Sequence, residues 1–285
     1  MALKDILVHL DGGSRSQARL DLAVGLARTH RAHLIGLFVA DLPNMEYYYG
    51  AGMPFAVASP EQALARLRTD ATNAAAVLET AFIDRTRRSD VTGEWRYVEG
   101  RVPETLALHA RYADVAVVGQ PNPYETGSDS NRQAGIVTTL MSSGRPVLAV
   151  PFAGDFTGFG EHTLVAWNAS REAARAVNDA LPLLERAKKV TVLAVNPRHG
   201  IGGHGDVPAA DIALHLARHG VKAEAAHTVA NDIPDGEALL SYAADIGADL
   251  IVAGGYGHSR AREMVFGGVT RTLIREMTVP VFLSH

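Results

Sequence analysis

The sequence predicts an α/β protein built from two doubly wound parallel sheets of five strands each. Three observations carry that expectation. Short continuous apolar runs alternate with helix-like stretches along the chain, the order of buried parallel strands covered by helices on both faces. That order runs through twice. Leu7-Val8-His9-Leu10-Asp11 matches Leu164-Val165-Ala166-Trp167-Asn168, Gly119 matches Gly254, and Arg145-Pro146-Val147-Leu148 matches Val279-Pro280-Val281-Phe282. The period is far beyond that of solenoid repeats, so it marks an internal duplication. In the second copy an apolar strand runs straight into Gly254-Gly255-Tyr256-Gly257, and Gly267-Gly268 opens the next helix.

The elements follow in order. Residues 4–10 (KDILVHL) form an apolar run too continuous for a one-sided strand. Asp11-Gly12-Gly13-Ser14 makes a turn, and apolar spacing predicts a helix over 16–29. A strand over 32–40 leads to a long loop, 41–59, rich in tyrosine and methionine. Ser59 is the expected N-cap and Pro60 the first residue of a long helix reaching about residue 86. A strand around 95–98, a helix over 103–112, a strand over 114–119, a helix over 133–142 and a strand over 145–150 complete the first unit, 1–151. Residues 151–161 read as a linker. The second unit, 162–285, repeats the series, with strands over 163–167, 189–195, 221–229, 249–253 and 279–284. Its helices fall over 170–187, capped by Ser170, then 209–219, 236–246, and from Gly268 onward.

Composition limits the function classes. The 285 residues suit two domains and 47% are hydrophobic, as in a well-packed globular protein. The net charge of −4 is spread without a basic stripe, which argues against nucleic acid as the main partner. No apolar run is long enough for a membrane span and the start does not read as a signal peptide, so a cytoplasmic soluble protein is expected. There is no cysteine, which removes disulfides, thiolate metal sites and cysteine nucleophiles.

The glycines after the 249–253 strand carry the functional reading. Glycine at a helix start costs roughly 1 kcal/mol relative to alanine. It makes sense where something must approach the backbone closely. A glycine loop after a parallel strand, followed by a helix N-terminus, gathers unpaired amides and the positive end of the helix dipole at one place. Arg260 and Arg262 add charge to the loop, and His258 lies in it. The plain alternative is a tight turn under a close-packed helix. Other motifs are weaker. Gly200-Ile201-Gly202-Gly203-His204-Gly205 has dinucleotide-type spacing, but it follows the unit's second strand and Asp206-Val207-Pro208 separates it from the helix. His30 and His33 lack a third metal ligand nearby and read as surface histidines. No GxSxG, Walker A or H-E-x-x-H sequence occurs.

On these residues the chain resembles a tandem universal stress protein. The family's nucleotide motif is G-x2-G-x9-G followed by serine or threonine. Gly254, Gly257 and Gly267 fit its spacing, and Gly268 stands in place of the hydroxyl residue. The resemblance implies Rossmann-like sheets of strand order 3-2-1-4-5. It also implies a stress-response regulatory role with an adenine nucleotide (ATP, ADP or AMP), Mg2+ being admissible beside it. Carried over, Asn168 and Val195 would take adenosine. Gly254, Gly257, Gly267, Gly268 and Val269 would cradle phosphates, with Thr270 assisting. Asn168 keeps an acceptor where the family has an acid, but loses the charge. The first unit keeps Asp11, yet Gly119-Gln120-Pro121-Asn122-Pro123 lacks the second glycine and Gln133-Ala134 stands where Gly267-Gly268 stand, so that unit reads as degenerate for phosphate.

No residue stands out as a general base or nucleophile, so at most a weak ATPase is expected. The alternative reading is a nucleotide-free scaffold acting through a protein partner. Single-unit members of the family dimerise through their fifth strands. Here both fifth strands are apolar and unsuited to bare sheet edges. The linker of about 11 residues can span roughly 35 Å. The two units are therefore expected to pair antiparallel through 145–150 and 279–284 as an internal pseudo-dimer, leaving other surfaces such as 41–59 for any homodimer.

Overall fold

The computed structural model describes residues 2–42, 60–122, 129–156, 158–197, 207–256 and 268–285. The first half runs β1 (Asp5–His9), α1 (Ser16–His30), β2 (His33–Ala40), α2 (Pro60–Arg88), β3 (Gly93–Glu99), α3 (Val102–Ala110), β4 (Val115–Gly119), α4 (Asp129–Ser142) and β5 (Val147–Val150). The second runs β6 (His162–Ala166), α5 (Arg171–Leu184), β7 (Lys189–Val195), α6 (Ala210–Arg218), β8 (Ala223–Thr228), α7 (Asp235–Asp245), β9 (Leu250–Gly254), α8 (Gly268–Glu276) and β10 (Val281–Ser284).

Each half has the strand order 3-2-1-4-5, and all pairings within a half are parallel. The two five-stranded sheets join edge to edge into a single ten-stranded sheet, through an antiparallel β5–β10 pair. Val281 lies opposite Ala149, Phe282 opposite Leu148 and Leu283 opposite Val147. Pairing the two apolar edges removes both from solvent, and all eight residues of these strands are buried.

Side chains alternate between the faces, as the period of a strand requires. Ile6, Val8, Val117, Val165, Val192 and Val252 pack into one core beneath α1, α2, α5 and α6. Leu7, Ile35, Ala116, Ile251 and Leu283 pack into the other, beneath α3, α4, α7 and α8. The duplication extends to the amino ends of the strands. The Asp114 carboxylate accepts from the amides of Lys4 (2.6 Å) and Asp5 (3.1 Å). Asp249 does the same for Gly160 (3.0 Å), Glu161 (3.0 Å) and His162 (3.1 Å), and so fixes the end of the linker to β6.

Differences from the sequence reading are local. The helix expected from residue 133 starts at Asp129, and that expected over 170–187 stops at Leu184. Ser170 caps α5 as expected, its Oγ accepting from the Ala173 amide at 3.1 Å. His30, read as a surface residue, is only 6% exposed, because it sits at the last turn of α1 where the helix meets its own core. Ser59 as a cap, the aromatic loop up to 59 and the 200–205 glycine loop lie outside the described residues.

Candidate functional site

The site lies at the carboxyl ends of the strands, where neighbouring crossovers leave the sheet in opposite directions. In the second half Ala166 lies opposite Leu193 of β7 and Ala253 of β9. Two residues on along β6 and β7, Asn168 comes level with Val195. One residue on along β9, Gly254 comes level with Trp167. The structure thus brings Val195, Asn168 and Gly254 to the ends of three adjacent strands, about 5 Å apart from strand to strand.

Local chemistry holds this row. Ala169 takes a left-handed φ of 56°, and the Asn168 Oδ1 accepts from the Ser170 amide at 3.1 Å. This turn starts α5 and leaves Asn168 exposed, its amide NH2 without a partner among the described residues. Gly254 has a structural reason of its own. A Cβ there would lie 2.5 Å from the Ala173 nitrogen and 2.6 Å from the Glu172 carbonyl carbon, so the first turn of α5 rests on it. Gly255 donates to the Ser284 carbonyl at 2.8 Å, and its own carbonyl lies 2.9 Å from Nδ1 of His285.

Tyr256 has a φ of 59°, and its amide donates to Thr270 Oγ1 at 3.3 Å. Burial pushes its phenol up to about 12, so the ring stays neutral. Thr270 is 3% exposed and its oxygen ties the loop start to the first turn of α8. Gly268 opens α8 in an exposed position, and a Cβ there would meet no described residue within 4 Å. Val269 is half-buried against the core. Gly257, Gly267, His258, Arg260 and Arg262 lie outside the described residues.

The matching position in the first half is filled by the chain itself. Arg19 of α1 is 3% exposed. Its Nε donates to the His9 carbonyl at 2.6 Å, and its Nη2 donates to Asp11 Oδ1 at 2.9 Å and to Ser16 Oγ at 3.1 Å. A Cβ on Gly119 would fall on Arg19 Nη1, so the guanidinium occupies the space between the ends of β1 and β4. The cavity left beside it, lined in part by Asp11, Arg15, Gly119 and Gln120, has about 10 Å³, the room of one water. Asp11, the acid retained in this half, is therefore spent on Arg19. Sequence reading missed the guanidinium because an arginine near a helix start looks solvent-facing.

Among the described residues no three His, Asp or Glu side chains converge as metal ligands, and no helix is long and apolar enough to cross a membrane. No curated protein matches the chain. The family model described as the universal stress protein family matches residues 161–285. Of solved structures, a universal stress protein from Archaeoglobus fulgidus DSM 4304 has the same fold over almost the whole length. It has a TM-score of 0.73 and 16% identity, and covers 98% of this chain and 95% of that one. A functionally unknown protein from Pseudomonas aeruginosa PAO1 has a TM-score of 0.59 and 12% identity, covering 99% and 92%. With the duplicated 3-2-1-4-5 sheets, these likenesses identify the second half as a universal stress protein domain, in a chain that has the fold of two such units joined edge to edge.

Proposed function

We propose that the protein is a stress-response regulator of the cytoplasm that binds one adenine nucleotide (ATP, ADP or AMP), in the unit 162–285. The observation that carries this reading is the row of Val195, Asn168 and Gly254 at adjacent strand ends, with the exposed Gly268 start of α8 clear of every described residue. Adenosine would lie along the row, with Asn168 bonding a ribose or base edge through its exposed amide. The phosphates would meet the amides of Gly268 and Val269 at the helix N-terminus. Gly257 and Gly267 enter the proposal from motif spacing alone. The Thr270 oxygen already accepts the Tyr256 amide, so Thr270 serves the loop first and phosphate only through its O–H. Mg2+ would come with the phosphates, since no cluster of described side chains is built to hold it. The unit 1–151 is the degenerate one and binds no nucleotide.

The role of the groups present is to bind and orient. No described side chain at the row is placed as a general base, so turnover at most reaches that of a slow ATPase. One observation favours a second reading, a nucleotide-free scaffold acting through a protein partner: the motif position that would offer a hydroxyl to phosphate is Gly268. Calorimetric titration with ATP, ADP and AMP separates the two. Binding that disappears in Gly257→Val, with the fold intact, supports the nucleotide site. Unchanged affinity in that variant refutes the assignment, and no binding in the wild type leaves the scaffold.

A further inference from the structure

The junction between the halves carries two crossed contacts that ordinary sheet pairing does not need. Gln120 follows Gly119 at the end of β4 and is 3% exposed. Its Nε2 donates across the junction to the Arg275 carbonyl at 2.9 Å, in the last turn of α8. Its Oε1 accepts from the Phe152 amide at 3.0 Å, which anchors it to the start of the linker. The equivalent position in the second half is Gly255. There the contact runs the other way, for a Cβ on Gly255 would lie 2.5 Å from Cδ2 of Leu140, a buried residue of α4.

These contacts fall on the two ends of one segment. Gly255 opens the stretch that carries the glycine motif, and Arg275 nearly closes the helix that follows it. The last carbonyls of a helix lack intrahelical partners, so a donor from another element there fixes where the helix lies. Leu140, packed onto a residue with no side chain, fixes where the strand leaves the sheet. Arg19 in turn holds the base of the Gln120 grip, since its guanidinium fills the space against Gly119.

We propose that the first half positions the nucleotide site of the second by holding Gly255 and Arg275, the described residues that flank the glycine loop and close its helix, with Gln120 and Leu140 as positioning residues. The duplicated half has exchanged a ligand for an internal guanidinium and serves as a fixed support. The proposal rests on the nucleotide reading above. By linkage, a nucleotide that tightens α8 must also tighten the groups that hold α8.

Gln120→Glu is the most direct test. It keeps the acceptor for the Phe152 amide and loses the donor to Arg275. ATP affinity by calorimetry should fall by about fivefold to tenfold, one hydrogen bond in a buried place. Hydrogen exchange supplies a readout that a merely structural role would not move. In the wild type, ATP should slow exchange of the Phe152 amide, in the linker outside the nucleotide-binding unit, and in Gln120→Glu that ATP-dependent slowing should vanish. Unchanged affinity in the folded variant, or ATP-dependent protection confined to residues 161–285 of the wild type, overturns the proposal. If the wild type binds no ATP, it is the nucleotide reading that fails. The grip is then decided without ligand, by exchange in the last turn of α8: faster exchange in Gln120→Glu supports it, and unaltered exchange overturns it. Should Gln120→Glu not fold, Leu140→Val shortens the other grip without a buried charge and is read in the same way.

Discussion

The two strand-end sites of this protein share one backbone plan and have opposite contents. At the ends of β1 and β4, Asp11 faces a buried guanidinium and only room for a water remains. At the ends of β6 and β9, Asn168 is exposed and Gly254 is pressed by helix backbone rather than by a side chain. The difference shows that the same strand-end position can be closed by a side chain from the unit's own first helix in one copy and by helix backbone in the other. A second contrast accompanies the first. The buried face of α1 carries Arg19 and His30, whereas that of α5 carries one acid, Glu172, whose carboxylate pairs outward with the exposed Arg171.

The largest expected effect comes from emptying the filled site. Arg19→Met removes the buried guanidinium that holds the Asp11 carboxylate and the His9 carbonyl and should cost about 3 kcal/mol of unfolding free energy. In denaturant titrations, Asp11→Asn combined with Arg19→Met should recover part of that loss, because the two groups are coupled. A loss below about 1 kcal/mol would put Arg19 among ordinary surface ion pairs. Gly119→Ala displaces the same guanidinium, so its effect should be less than additive with Arg19→Met.

Next comes pH. Burial, with the Arg186 charge second and the N-terminal charge third, lowers His30 from 6.5 to about 4. The folded state holds it neutral while the unfolded chain takes up a proton below about 6.5. Stability is therefore complete above about 6.5 and falls by about 1.4 kcal/mol per pH unit toward 4. His30→Phe should flatten thermal midpoints over that window, and an unchanged slope would assign the acid sensitivity to other groups.

A smaller effect, in the second half, is expected from Gly254→Ala. The added methyl meets helix backbone, which cannot rotate away, so a loss of about 2 kcal/mol is expected in chemical denaturation. A neutral result would mean that α5 is free to shift. Gly268→Ser should have the mildest effect and a favourable one. It restores a hydroxyl where no described residue lies within 4 Å, and ATP affinity should rise several-fold to about tenfold in calorimetry. A serine variant that binds no better would show that the loop receives something other than phosphate.

Much of the fold was legible because its causes are local. Short apolar runs such as 4–10 and 114–119, bounded by turn residues, read as strands buried on both faces; the antiparallel β5–β10 pair was expected from the family's fifth-strand dimers together with two apolar strands in one chain. The strand order within each half was not legible from the residues and came from family resemblance. At the site, the meeting of Asn168 and Gly254 at neighbouring strand ends followed from the repeat and the fold class, whereas Val195 came from the family resemblance. The part that was not legible depends on long-range packing. Nothing local to Arg19 says that its guanidinium turns inward, and nothing local to Gln120 says that its amide reaches residue 275. Gly254 was read as room for a ligand, while its closest neighbour is the first turn of α5. His30 was misread because a histidine at a helix end looks exposed until the core beneath is known.

The central claim is that one half is filled by its own arginine and the other receives one adenine nucleotide. Native mass spectrometry of the protein, untreated and after adding ATP, tests it most directly. The account predicts a single nucleotide mass per chain, lost in Gly257→Val and kept in Asp11→Asn. A chain that carries none after ATP is added would contradict the open site, and a chain that carries two would contradict the filled one.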